Sequence, residues 1–188
     1  MFRRKYFPFD AKKAVQAMAI LYSLERAKSV PYYRLLKLLY IANREHFREK
    51  RTPIVGGRPV AMNAGPLSSP VYDLIKGVHH DSRAWNQHFD KHTRYVELLD
   101  HPGNDELSKR EIRKLQEVSA RYSLMSDSEI GDLTHDFPEY KKNFEKDTSR
   151  SIPLTDLINA VGLSEAKETI LESLDFKLKM RSFLEKDK

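Results

Sequence analysis

Apolar residues recur along most of this chain at three- and four-residue spacing, and alternate at two-residue spacing in only a few short stretches. In the first stretch Ala14, Val15, Met18, Ala19 and Tyr22 share one face of a helix that runs to about Ala27. Asp10 stands before it, where a carboxylate can accept from the free N–H groups of a first turn. Pro31 opens a second helix, YYRLLKLLYIANREHFREK, with Leu35, Leu38, Leu39, Ala42 and Phe47 as its buried stripe. Arg44, Arg48 and Lys50 are expected to face outward, and His46 to titrate in solvent.

The pattern then changes to short runs broken by Gly and Pro. In TPIVGGRPVAMNAGP two apolar runs flank Gly56-Gly57, which predicts a β-hairpin with Pro59 on an edge strand. In NAGPLSSPVYDLIKG, Gly65-Pro66 ends the strand, Ser68 or Ser69 caps a helix, and Pro70 takes its first position. Val71, Leu74, Ile75 and Val78 form that helix's apolar face. Alternation in Tyr95–Leu98 predicts a second hairpin whose first strand is Trp85 to Phe89.

The remainder is helical. Ser108-x-x-Glu111 and Ser126-x-x-Glu129 are capping boxes, opening one helix to about Tyr122 and a short one through Leu133. Ile112, Leu115 and Val118 line the first. FPEYKKNFEK starts another helix, and two more cover Leu154–Val161 and Ser164 to about Leu184. Ile170, Leu171, Leu174, Leu178 and Phe183 form a stripe on the last, either core or a docking face for a partner helix. The predicted fold is mostly α: a single compact helical domain with one or two small β-hairpins. The expected organisation is a helical domain over residues 1–150 and a C-terminal helical extension over 151–188, packed on the same domain.

Composition narrows the function classes. The 188 residues suit one domain, and the chain has no cysteine. That excludes disulfides, thiolate zinc sites and a cysteine nucleophile, and fits a cytoplasmic location. No run of about 18 apolar residues occurs and no apolar segment follows the basic MFRRKYFPFDAKK, so neither membrane insertion nor a signal peptide is expected. The net charge of +6 is uneven: residues 1–50 hold 12 Lys/Arg against 4 Asp/Glu. This basic N-terminal region either meets nucleic acid or another anionic partner, or is two solvated helix faces.

Catalytic signatures are missing. There is no GxxxxGK[ST], GxSxG or HExxH motif, so Ser68 and Ser69 read as a capped turn and not a nucleophile elbow. His79, His80, His88 and His92 cluster in sequence, but four residues of strand separate the last two by roughly 13 Å, too far to share an ion. No metal, cofactor or catalytic residue is expected. His135 sits between Asp132 and Asp136, either as a general acid or as a structural contact between helices.

Three segments in order resemble the Panacea domain, a family of antitoxins from prokaryotic and phage toxin–antitoxin pairs. RLLKLLYIANREHFREK matches its Leu-x-Lys-Leu-Leu-Tyr helix. GGRPVAMNAGPLSSPVYDLIK is similar to a strand whose Gly-Pro turn, with a Pro and a Tyr following, leads into a helix. LSKREIRKLQEVSARYSLMSDSEIGDLTHDFPEYKK is similar to a long helix and a Thr-His ending, with Ile130 where the family's Leu-x-x-x-Thr-His pattern has leucine. The likeness spans about residues 11–145. The chain departs from the pattern where Met62-Asn63-Ala64 replaces an aromatic before the Gly-Pro, where Leu67 replaces valine, and where only Phe137 and Tyr140 follow Thr-His. The resemblance implies a non-catalytic antitoxin that binds a cognate small toxin encoded nearby. It marks Tyr40, Met62, Asn63, Tyr72, Thr134 and His135 as partner-binding, and Gly65, Pro66 and Pro70 as shapers of the turn. Tyr40, Tyr72 and His135 have apolar bodies and polar tips, so each is either a core residue or a partner contact. The competing reading is a nucleic-acid-binding or autoregulatory protein that uses the basic N-terminal region.

Overall fold

A computed structural model of the chain describes residues 6–184; the basic start of the N-terminal region, residues 1–5, and residues 185–188 lie outside the described residues. Helix α1 spans Ala11–Leu24, and its first turn is capped as expected, with Lys13 N donating to Asp10 Oδ1 at 3.0 Å. It stops short of Ala27, because Arg26 takes a left-handed φ of 53° that no helix can continue. Two residues of strand, β1 (Val30–Pro31), precede helix α2 (Tyr32–Lys50). Every stripe residue of α2 is buried. The burial goes further, covering all sides from Arg34 to Ala42, because α2 runs through the middle of the molecule.

That central position overturns two expectations. Arg44 is largely buried and donates to a buried carboxylate, Glu139, instead of facing water. His46 is buried, with Nδ1 2.7 Å from the Thr52 carbonyl, and does not lie in solvent.

The first hairpin forms one step later than the glycines suggested. Strands β2 (Pro59–Met62) and β3 (Gly65–Ser68) pair antiparallel with Met62 opposite Gly65, so Asn63-Ala64 makes the turn. Gly56 instead lets two backbones meet, since a Cβ there would lie 1.9 Å from the Pro8 carbonyl oxygen. Pro59 is not on an edge strand: a late strand, β6 (Arg150–Ser151), pairs with the other side of β2. Proline is tolerated there because it is the first residue of the strand, and its carbonyl still accepts from Ile152 N at 2.9 Å.

Helix α3 (Ser69–Lys76) follows β3 directly, with Pro70 in its first turn. Gly65-Pro66 therefore begins a strand and does not end one. Ser68 holds the N-cap position without a capping bond, its hydroxyl buried and without a partner among the described residues. Val78, beyond the left-handed Gly77, is 69% exposed and leaves the apolar face.

Trp85 lies in a short helix, α4 (Ser82–Asn86), and not in a strand. The second hairpin joins β4 (Phe89–His92) to β5 (Tyr95–Leu98), and β1 adds to β5. The two three-stranded sheets make the β content larger than one or two hairpins, although helices dominate.

Helices α5 (Lys109–Arg121) and α6 (Asp127–His135) both start in reciprocal capping boxes, as their sequences predict. Helices α7 (Pro138–Asn143) and α8 (Leu154–Ala160), a 3-10 turn (Ser164–Ala166) and α9 (Lys167–Leu184) complete the chain. The principal core lies among α1, α2, α3, α5 and both sheets. A second cluster joins Phe7 and Phe47 to Leu154, Ile158, Val161, Ile170 and Leu174. Phe183 does not belong to that buried stripe. With Phe176 and Met180 it lies on the outer side of α9, exposed by 64%. No helix among the described residues is long and apolar enough to cross a membrane.

Candidate functional site

The β2–β3 hairpin, the middle of α2 and the end of α6 converge on one glycine. Gly65 has a φ of +91°, a conformation open to glycine and strained for other residues. A Cβ on it would lie 2.7 Å from Lys37 Nζ, 2.8 Å from Thr134 Oγ1 and 2.9 Å from His135 Cδ2. The bare glycine thus lets an ammonium, a hydroxyl and an imidazole edge approach the same point. We expect Gly65→Ala to destabilise the protein by about 3 kcal/mol, adding the left-handed strain to the displacement of a buried side chain. Urea unfolding measures this, and a change below about 1 kcal/mol would show that the cluster yields freely.

Lys37 is the least expected member. It is 4% exposed, and its ammonium donates to the Pro66 carbonyl at 2.8 Å. Desolvation pulls its pKa from 10.5 down to about 7. Thr134 is fully buried, and its hydroxyl returns to the Gly131 carbonyl within α6 at 2.8 Å. The ring of His135 stacks on Tyr140, centroids 4.9 Å apart and planes within 11°, while its Nε2 is buried without a partner among the described residues. Tyr140 in turn donates to the Met62 carbonyl at 3.0 Å, fixing the hairpin against α7. A pocket opens over this cluster, lined by Tyr33, Lys37, Ala64, Asp127, Asp132 and His135 among others.

Tyr40 lies one helical turn further along α2 and is buried. Its hydroxyl donates to Glu139 Oε1 at 3.1 Å, and Arg44 Nε donates to the same oxygen at 2.8 Å. Glu139 is 1% exposed. Phe137 packs over both partners, stacked on Tyr40 at 6.2 Å and 4.4 Å below the Arg44 guanidinium carbon. This set belongs to the core and holds α7 against α2 behind the cluster.

The other residues marked by sequence reach the surface. Asn63, at the hairpin tip, exchanges two hydrogen bonds with Asp147: Asn63 Nδ2 donates at 2.7 Å, and Asp147 N donates to Asn63 Oδ1 at 2.8 Å. Met62 beside it is half-buried. Tyr72 on α3 is half-buried, with its hydroxyl 3.1 Å from that of Tyr33, a residue of the pocket wall. Tyr72, Tyr33, the pocket, His135 and the hairpin tip therefore form one continuous patch. Pro66 supplies the carbonyl that Lys37 uses, and Pro70 starts the helix that carries Tyr72.

Lys37, Glu139, Tyr33 and Asp147 were not singled out by sequence. The signal for Lys37 was present: it is the lone cation inside the apolar run LLKLLYIA. Nothing local marks Glu139, because its partners lie 95 and 99 residues away.

The histidines are dispersed. His79, His80 and Asp81 bring three ligand atoms within 4.8 Å of one another near the surface, but His88 and His92 are not part of that group. His88 Nδ1 lies 3.1 Å from the Asp100 carbonyl, and His92 pairs with Asp90 on its own strand. Four of the nine described cations of the basic N-terminal region are paired with acidic groups within the fold. Lys12 pairs with Asp105 and Glu106, Lys13 with Glu111, Arg34 with Glu25 and Asp127, and Arg44 with Glu139.

Compared with known proteins, residues 35–141 match the family model described as "Antitoxin SocA-like, Panacea domain". The match runs from α2 through α7 and takes in every residue of the Gly65 cluster. Neither a curated protein nor a solved structure matches the chain.

Proposed function

We propose, from the premise that this chain belongs to the SocA-like Panacea-domain antitoxin family, that it neutralises a small protein toxin encoded beside it. It does so in the cytoplasm, by direct contact and without chemistry of its own. The family match over more than half of the chain is the observation that carries this reading.

The patch formed by Tyr72, Tyr33, the pocket, His135, Met62 and Asn63 is the toxin-binding face. Aromatic and amphipathic side chains around one recess, held by a rigid hairpin, suit a protein interface of the usual area, roughly 800 Å² on each partner. Tyr40 and Thr134 contribute by holding the patch in shape, since both are buried. Gly65, Pro66 and Pro70 set the path of the backbone beneath it.

Co-expression with the neighbouring small gene tests the proposal. The expected result is growth inhibition by that gene alone, rescue when this protein is present, and co-purification of the two. Failure of both rescue and co-purification would sink it. Steeply salt-dependent binding to nucleic acid would then favour the alternative, in which the cations of the basic N-terminal region outside these ion pairs release counterions from a polyanion.

A further inference from the structure

The geometry points to a carboxylate-binding subsite at Lys37 and His135, built to take one Asp or Glu side chain of the bound toxin. This rests on the toxin-binding reading above and names the chemistry at its centre.

Three observations carry it. Lys37 presents an ammonium with three N–H donors, yet in the fold it has one described acceptor, the Pro66 carbonyl at 2.8 Å. His135 Nε2 is buried and without a partner among the described residues. The two side chains flank the same point beside Gly65, and both line the pocket that opens there. Buried polar groups left without partners are costly, and here the spare N–H groups of Lys37 and the unpartnered Nε2 of His135 share one recess. A carboxylate is acceptor-only, with two oxygens. It can take one N–H from Lys37 and one from His135 in its Nε2-protonated form. Its charge would also hold the ammonium protonated, against the desolvation that otherwise favours the neutral amine.

The rim narrows the choice of occupant. Asp127 and Asp132 stand at the mouth of the pocket, Asp127 3.3 Å from Arg34 Nη1. Both residues are exposed and would repel a phosphate backbone, which brings repeated negative charge. A single side-chain carboxylate with a Lys or Arg nearby in the partner satisfies both the recess and its acidic rim. The remaining ionisable groups facing Lys37 from the pocket wall are Tyr33 and Arg34 on α2 and His135 on α6.

Two measurements test this, and they fail separately from the antitoxin reading. In protein labelled with ¹³C at lysine, the Lys37 Cε resonance is followed through pH in sodium acetate and in sodium chloride of equal ionic strength. Acetate, the carboxylate probe, is expected to raise the Lys37 titration midpoint by about half a pH unit or more, and the rise to shrink in His135→Phe. An identical midpoint in both salts overturns the subsite, whatever the toxin does. In the second, the affinity of the neighbouring small protein is measured against wild type and Lys37→Met. Its Asp and Glu residues are also changed one at a time to Asn and Gln. The expected result is a loss of about 30-fold or more for Lys37→Met, matched by one acidic residue of the toxin and not increased in the double variant. Wild-type binding with no loss in any of these variants overturns the subsite and leaves the antitoxin reading standing. An absence of wild-type binding removes the antitoxin reading, and the acetate titration then decides the subsite alone.

Discussion

Lys37→Met is expected to make the protein more stable at neutral pH, by on the order of 3 kcal/mol, and the gain is expected to fade as the pH approaches 10. The unfolded chain holds the lysine proton with a pKa near 10.5, whereas burial lowers it to about 7 in the fold. Below about pH 7 both states carry the ammonium, so the full penalty of burying a charge opposes folding. Between about 7 and 10.5 the folded state loses its proton while the unfolded state keeps it, and wild-type stability rises with pH through that window. Above it both states are neutral and the difference is spent. Methionine has a similar length and no charge, so the variant loses one hydrogen bond to Pro66 and escapes the penalty. At pH 7 the expected gain corresponds to roughly 6–12 °C in melting temperature for a chain of this size. Parallel pH dependences for wild type and variant would mean that Lys37 keeps its proton in the fold. A residue that weakens the fold in this way fits a role in binding, where stability and function pull apart.

Glu139 presents the opposite case. Glu139→Ala is expected to destabilise by about 3–5 kcal/mol, because it strands the charge of Arg44 and the hydroxyl of Tyr40 in a buried site. The loss should not require the charge pair as such. Replacing the whole set by apolar residues, as Tyr40→Phe with Arg44→Met and Glu139→Leu, is expected to recover most of it. Denaturant unfolding of the single and combined variants separates the two contributions. If the triple variant is as unstable as Glu139→Ala, the network supplies net stability that packing cannot replace. Its position supports that contrast: α7 is only six residues long and depends on contacts with α2 and the hairpin.

Legibility from sequence followed the range of the interactions. The caps at Asp10, Ser108 and Ser126 were readable because donor and acceptor lie three residues apart. Helix α2 was readable from its stripe, yet a stripe describes one face, and α2 is covered on every side from Arg34 to Ala42, with Arg44 and His46 largely buried beyond it. That is why Arg44 and His46 were expected in water. Gly56-Gly57 reads as a hairpin turn because glycine pairs commonly turn, whereas Gly56 serves a close approach to Pro8 and Gly57 one to Pro70, and the turn falls at Asn63-Ala64. Strand β6, two residues long, has no periodicity to detect, and without it Pro59 could only be read as an edge residue.

By itself, then, the sequence determined the helical class, the capped starts of its helices, the order of three motifs and the rigid entry into α3. These depend on spacing along the chain, where neighbours three or four residues apart must meet. Tertiary structure alone decided which polar groups lose water. It placed Lys37 beneath a carbonyl of a hairpin 29 residues away, aimed the edge of His135 at the same glycine, and set Glu139 between two side chains of α2. Desolvation is a property of everything packed around a group, and so it is invisible until the distant segments are brought together.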